Sequence, residues 1–114
     1  MLSLKLKWHD SGIQFDDLIT QCKQQGSVVI KVDRYEVLFA LDENELVAFQ
    51  NKCPHQKKPM NGAVVDSGYV ICPVHKIGFD CKTGRGGGLY LEKYQTRKGE
   101  NETVEVGVEK FKWF

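Results

Sequence analysis

Four side chains of this sequence combine the residue types and the spacing of a metal site: Cys53, His55, Cys72 and His75. They form two short pairs, a Cys-x-His and, after sixteen intervening residues, a Cys-x-x-His. Thiolate sulfur and imidazole nitrogen are the donors that zinc and iron–sulfur centres prefer. Each of the two segments supplies one thiolate and one imidazole. The sequence therefore predicts four ligands that converge on a shared site.

Turn-forming residues surround both pairs and predict that the ligands lie on loops. Pro54 and Pro73 each stiffen one pair and remove a backbone N–H donor. The Asn-Gly at 61–62 and the Asp-Ser-Gly at 66–68 have turn composition and indicate a short hairpin between the two loops. We therefore expect a site carried by a hairpin and its flanking loops.

The other two cysteines, Cys22 and Cys81, have no histidine close to them in the sequence. Four cysteines could form two disulfides in a secreted domain. The N-terminus, however, alternates apolar and polar residues and lacks the apolar block of a signal peptide. We expect a cytoplasmic protein in which Cys22 and Cys81 are buried free thiols.

Alternation of apolar and polar residues runs through most of the chain and predicts an all-β fold. Strands are expected at 2–8, 28–32, 37–41, 46–50, 69–71, 78–80, 89–91 and 103–108, with hairpin turns at 33–34 and 42–44. The glycine-rich run at 84–88 is expected to be a flexible loop, because it is too rich in glycine for a regular strand.

A single helix is expected between about residues 16 and 24. Asp16 could cap it, Leu18 and Cys22 would share its buried face, and Gly26 would end it. Many short strands with one helix predict a small antiparallel sandwich or barrel, formed by residues 1–114 as a single domain.

Composition excludes several classes of partner. The 114 residues include 16 basic and 15 acidic side chains, which gives no global charge for nucleic acid or an anionic membrane. No apolar run approaches the roughly 20 residues needed to cross a bilayer.

The two pairs and the residues around them resemble the Rieske family. The matching residues are Cys53-Pro54-His55-Gln56, Asn61-Gly62-Ala63, and residues 72–84, which read CPVHKIGFDCKTG and end in Phe-Asp-x-x-Thr-Gly. The resemblance implies a Rieske-type antiparallel β-sandwich or barrel with a small cluster-binding subdomain at about 51–88. It also implies one [2Fe–2S] cluster, with Cys53 and Cys72 on one iron and His55 and His75 on the other.

The ligand set implied by this resemblance decides the redox chemistry. Two ferric ions, two sulfides, two thiolates and two neutral imidazoles sum to zero charge, whereas four thiolates would leave a dianion. Adding an electron to a neutral centre costs less, so histidine ligation raises the potential. A one-electron carrier is the function that this chemistry suits.

Departures from the family pattern indicate which branch of the Rieske family this sequence resembles. Respiratory Rieske proteins carry an extra cysteine in each ligand loop and usually a membrane anchor, and neither is found here. The sequence is therefore similar to soluble ferredoxins, with a potential toward the lower part of roughly −150 to +300 mV. Many family members have glycine where Lys57 and Lys76 stand, which leaves the loop geometry open.

By resemblance, the protein would be a soluble Rieske ferredoxin with no catalytic residue and no small-molecule substrate. It would accept an electron from a flavin-dependent reductase and pass it to an oxygenase, such as an aromatic-ring hydroxylating dioxygenase. Of the three histidines, only His9 lies outside the ligand set, and it is expected on a strand surface.

Two other functions stay open. One is the small Rieske-like subunit of an assimilatory nitrite reductase, which has a similar length. The other is a structural or redox-sensing metal module, such as a Cys2His2 zinc site. Common zinc fingers pair Cys with Cys and His with His, whereas each half is mixed here.

The charge is distributed unevenly along the chain. Residues 52–88 hold six basic and two acidic residues, whereas the remainder holds ten basic and thirteen acidic ones. This pattern is typical either of a docking face for an acidic redox partner or of an ordinary solvated surface.

Overall fold

The computed structural model describes the backbone of residues 2–113 and the side chains of residues 6–109. Within these limits the chain forms eleven strands and one helix. In chain order they are β1 (Leu2–Gln14), α1 (Phe15–Gln25), β2 (Ser27–Val32), β3 (Tyr35–Asp42), β4 (Glu45–Gln50), β5 (Val64–Asp66), β6 (Tyr69–Ile71), β7 (Gly78–Asp80), β8 (Arg85–Gly86), β9 (Leu89–Tyr90), β10 (Lys93–Lys98) and β11 (Thr103–Trp113).

Six strands form one curled antiparallel sheet in the order β1-β11-β10-β4-β3-β2. The two predicted hairpins, β2–β3 and β3–β4, are confirmed, and their turns place Asp33, Glu43 and Asn44 at positive φ. Strand β1 extends beyond the predicted 2–8, with a bulge between Asp10 and Gln14. Strand β10 was not predicted, because its sequence KYQTRK is mostly polar.

The helix α1 covers one face of this sheet. Leu18 and Cys22 are its buried residues, and Gly26, at φ 84°, ends it while its N–H donates to the carbonyl of Cys22. The prediction that Asp16 caps the helix was wrong. The cap residue is Gln14, and Asp16 lies in the first turn, where its charge favours the helix N-terminus. No helix within residues 2–113 has the length and apolarity that crossing a bilayer requires.

The prediction for His9 was also wrong, since this residue is buried, with 8% of its surface exposed. Its Nδ1 is hydrogen-bonded to the carboxylate of Asp33, and its ring packs edge-on against Tyr35 at 5.2 Å between centroids. The hairpin turn that carries Asp33 therefore covers β1 at this point.

Residues 51–92, which we call the insert, lie between β4 and β10. These two strands pair with each other, Lys93 opposite Phe49 and Tyr94 opposite Ala48, so the insert leaves the large sheet and returns to the same place. It contains the sheet β5-β6-β7 and the hairpin β8–β9. The hairpin expected between the two ligand-bearing loops is β5–β6, with Ser67 and Gly68 in its turn.

Each part of the fold has its own apolar cluster. The first lies between α1 and the large sheet and includes Leu18, Val37, Phe39, Val104 and Val106. The second joins the insert to the large sheet and includes Leu38, Phe49, Cys53, Met60, Val70, Cys72, Phe79, Cys81 and Leu91. The two pairs of the sequence therefore begin at cysteines anchored in a packed core.

The glycine run at 84–88 is not the flexible loop that its composition indicated. It forms the tight hairpin β8–β9, and Gly87 and Gly88, at φ 58° and 76°, make the turn. Gly86 packs directly on β7, where an added Cβ would lie 2.0 Å from the carbonyl oxygen of Gly78. Glycine is needed here because the backbones of two strands are in contact.

Candidate metal centre

The two Cys/His pairs lie on loops with the same backbone hydrogen bonds. We call residues 53–58 the first loop and residues 72–77 the second loop. In each, the cysteine carbonyl accepts a bond from the N–H four residues later, and the cysteine N–H donates to the carbonyl five residues later. The bonds are Lys57 N–H to Cys53 O (2.6 Å), Cys53 N–H to Lys58 O (2.8 Å), Lys76 N–H to Cys72 O (2.9 Å) and Cys72 N–H to Ile77 O (2.9 Å).

This repeated bonding pattern explains the two lysines that stand where glycine was expected. Lys57 and Lys76 occupy the equivalent fifth position of each loop and adopt φ of 56° and 59°. This left-handed conformation costs a residue with a Cβ about 1 kcal/mol. The lysines therefore adopt the loop conformation that glycine favours.

The loops bring three of the four candidate ligands close together, and the fourth, His55, lies beside His75. The Sγ atoms of Cys53 and Cys72 and a ring nitrogen of His75 lie within 4.8 Å of one another. The rings of His55 and His75 are 4.6 Å apart between centroids. Both cysteines are fully buried, His75 is half-buried and His55 is exposed. The sulfur atoms thus form the inner side of the site and the imidazoles its outer side.

One atom of the site lacks the partner that burial requires. Nδ1 of His75 is buried and makes no hydrogen bond to any described residue. A buried polar atom without a partner costs about 1–3 kcal/mol. A metal ion bound to this nitrogen would satisfy it, and two thiols stand close enough to share that centre. Cys53, Cys72 and His75 therefore fit a shared metal centre, whereas His55 lies outside this group and reaches it only through its neighbour His75.

The two thiols have different protonation behaviour. Burial raises the pKa of both, and at Cys53 it is the dominant effect. At Cys72 the burial effect is outweighed by the backbone N–H groups of His75 and Val74, by Cys53 and by the charge of Lys76, which together lower its pKa. The second loop thereby favours the thiolate, which is the form that binds metals.

Cys22 and Cys81 differ from this pair. All four cysteines are free, and burial raises the pKa of both Cys22 and Cys81 to about 11. Both thiols are therefore protonated at neutral pH. Cys81 packs in the same apolar cluster as Cys53 and Cys72 but is not one of the group of potential ligands among the described residues.

The side chain of Asn51 joins the start of the segment that carries the first loop to its end at Met60 and Asn61. This role was not predicted from the sequence. Its buried side chain accepts a hydrogen bond from the N–H of Met60 (2.7 Å) and donates one to Oδ1 of Asn61 (2.9 Å). A second tie comes from Ser27, whose hydroxyl donates to the carbonyl of Ala63 (2.6 Å). A polar residue two positions before the first pair was the only sequence signal for this role.

Replacing Asn51 by alanine is expected to lower the free energy of unfolding by about 1–3 kcal/mol, because the buried N–H of Met60 loses its acceptor. Urea unfolding followed by circular dichroism measures the change. Asn101→Ala is the matched control, since that side chain is exposed. Equal stability of Asn51→Ala and the parent protein would contradict this assignment.

Most of the chain matches a known family. A family model described as the Rieske [2Fe-2S] domain matches residues 14–107. The comparison with curated proteins gives no match.

Several solved structures share the fold, among them the following three. The ferredoxin of carbazole 1,9a-dioxygenase from Nocardioides aromaticivorans IC177 is 24% identical with a TM-score of 0.65, over 77% of this chain and 89% of that one. A Mycobacterium tuberculosis protein assigned as an NADH-dependent nitrite reductase small subunit is 16% identical with a TM-score of 0.65, over 95% and 96%. The terminal oxygenase of the Nocardioides system is 18% identical with a TM-score of 0.69, over 87% of this chain but only 29% of its own. These likenesses confirm the antiparallel β-fold.

Proposed function

Because this chain belongs to the Rieske [2Fe–2S] domain family, we propose that it is a ferredoxin, a one-electron carrier between two protein partners. The donor would be a flavin-dependent reductase, and the acceptor an oxygenase such as an aromatic-ring hydroxylating dioxygenase. The observation that carries the proposal is the convergence of two buried thiols and His75, whose Nδ1 has no other partner among the described residues.

We propose that Cys53 and Cys72 hold one iron of the cluster, and that His55 and His75 hold the other. When bound, a [2Fe–2S] cluster with two histidine ligands supplies one-electron redox chemistry at a higher potential than an all-cysteine cluster. The cysteines lie in the apolar core and exclude water from the inner side of the site. The exposed His55 faces solvent, where its ring can contact a partner.

The matched ferredoxin supports a carrier, because this chain corresponds to 89% of it. The chain also corresponds to 29% of the matched terminal oxygenase, so the same fold occurs in both kinds of protein. We propose that this Rieske domain carries the electron and binds no small-molecule substrate.

A second candidate, the small subunit of a nitrite reductase, is favoured by one observation. The chain and the matched nitrite reductase subunit cover each other almost completely, at 95% and 96%. Affinity purification from the native host distinguishes the two candidates. A large haem-containing subunit in the eluate would favour the nitrite reductase, and a flavoprotein together with an oxygenase would favour the ferredoxin.

The decisive test is an electron paramagnetic resonance spectrum of dithionite-reduced protein, together with iron and sulfide analysis. We expect about two irons and two sulfides per chain and a Rieske-type signal. Protein from iron-replete cells that is colourless and contains zinc would overturn the proposal and favour a structural metal module.

A further inference from the structure

The segments around the metal centre carry four lysines and no carboxylate. Residues 52–58 and 72–77 include Lys52, Lys57, Lys58 and Lys76, and all four side chains are exposed. The ion pairs formed among the side chains of residues 6–109 involve none of them. Their positive charge is therefore available to an external partner.

Carboxylates are outnumbered within residues 52–88. There are two, Asp66 and Asp80, against six basic residues. The rest of the chain has more acidic than basic residues. The molecule is thus polarised, with its positive end at the metal centre.

Exposed apolar side chains accompany the lysines. The four large hydrophobic residues that are most exposed within residues 6–109 all belong to the insert: Val64, Tyr69, Val74 and Tyr90. Val74 is 51% exposed and directly precedes His75. Tyr90, 55% exposed, lines an open groove of about 340 Å³ together with Lys52, Pro54, Lys57 and one carboxylate, Glu92. An apolar centre with a charged rim is the usual anatomy of a protein–protein interface.

We propose that these residues, which we call the basic face (Lys52, Lys57, Lys58 and Lys76 with Val74 and Tyr90), dock a redox protein whose own contact surface is acidic. The proposal rests on the proposed function, because the face surrounds the exposed imidazole through which the electron would leave. Complementary charge accelerates association and makes the rate fall as salt rises. The partner is thereby specified by the sign of its surface charge.

The test measures how the charge of a redox reagent affects its reaction with the reduced holoprotein. Ferricyanide, a trivalent anion, and tris(phenanthroline)cobalt(III), a trivalent cation, each remove one electron from the protein and become ferrocyanide and the cobalt(II) complex. In stopped-flow experiments we expect the ferricyanide rate constant to fall on the order of tenfold from low to high ionic strength. The rate constant of the cobalt complex should rise over the same range. Added poly-L-glutamate should slow the ferricyanide reaction, and poly-L-lysine should not.

The double variant Lys57→Gln/Lys76→Gln should lose most of these effects. The matched control, Lys7→Gln/Lys31→Gln, removes the same net charge from two exposed lysines of β1 and β2 that also form no ion pair among the described side chains, and it should retain these effects. A changed reduction potential would alter the rates of both reagents in the same direction, whereas a changed surface charge alters them in opposite directions.

Each unfavourable outcome has a distinct meaning. If the protein holds no reducible cluster, the proposed function fails and the docking proposal fails with it. If the cluster is reducible but both reagents respond to salt alike, or the control variant behaves like the double variant, only the basic face is refuted.

Discussion

The Cys72→Ser protein is expected to contain almost no iron, whereas Cys81→Ser should retain about two irons per chain. The two thiols form a matched pair, because both are fully buried and both belong to the apolar cluster beneath the insert. They differ in position: Cys72 lies within 4.8 Å of the potential ligand atoms of Cys53 and His75, and Cys81 lies outside this group.

Iron and sulfide analysis with visible absorption measures the difference. Circular dichroism must show that both variants are folded, since burying a hydroxyl in place of a thiol costs about 1–3 kcal/mol. We also expect a lower unfolding temperature for Cys72→Ser, because a bound cluster stabilises the folded state and joins the two loops. A folded Cys72→Ser protein with full iron, or a folded Cys81→Ser protein without it, would contradict the ligand assignment.

The second large effect is expected for Gly86→Ala, which should destabilise the protein by about 3 kcal/mol or more. Its new methyl group would lie 2.0 Å from the carbonyl oxygen of Gly78, an atom of the β7 backbone that cannot move without disturbing the small sheet. Gly88→Ala is the control, because Gly88 lies in the turn of the same hairpin, at φ 76°, and has no atom within 4 Å of an added Cβ. That variant should cost only about 1 kcal/mol, from backbone strain alone.

Urea unfolding of the two variants gives the comparison. Iron content should fall along with stability in Gly86→Ala, because β7 begins directly after the second loop. Equal losses of stability in the two glycine variants would show that the contact between Gly86 and β7 does not contribute to the free energy of unfolding.

The features that could be predicted from the sequence depend on local patterns. Strands β2, β3 and β4 combine alternating apolar residues with two-residue turns, and both signals are confined to short stretches of chain. The four candidate ligands were identified in the same way, from residue type and spacing. The helix was predicted because Leu18 and Cys22 share one face and Gly26 ends it.

The errors arose where distant residues decide the structure. His9 is buried because Asp33, 24 positions away, contacts its ring. The glycine run at 84–88 is ordered because Gly86 packs on Gly78, and this contact leaves no pattern in the sequence of either segment. Strand β10 was missed because pairing with β4 and β11 gives it its structure, although only Tyr94 among its residues is buried.

The insert leaves and rejoins the large sheet at neighbouring points, and this has a consequence for how such a chain can diverge. Pairing of β4 with β10, together with the Gln50 N–H to Glu92 O bond (2.8 Å), fixes both ends of the insert. The pairing of these strands holds the ends of the insert together. Doubling the length of the insert would therefore add only about 0.6 kcal/mol to the entropic cost of closing it. Loops at its tip can therefore gain or lose residues at small thermodynamic cost, so partner choice can evolve while the sheet stays constant.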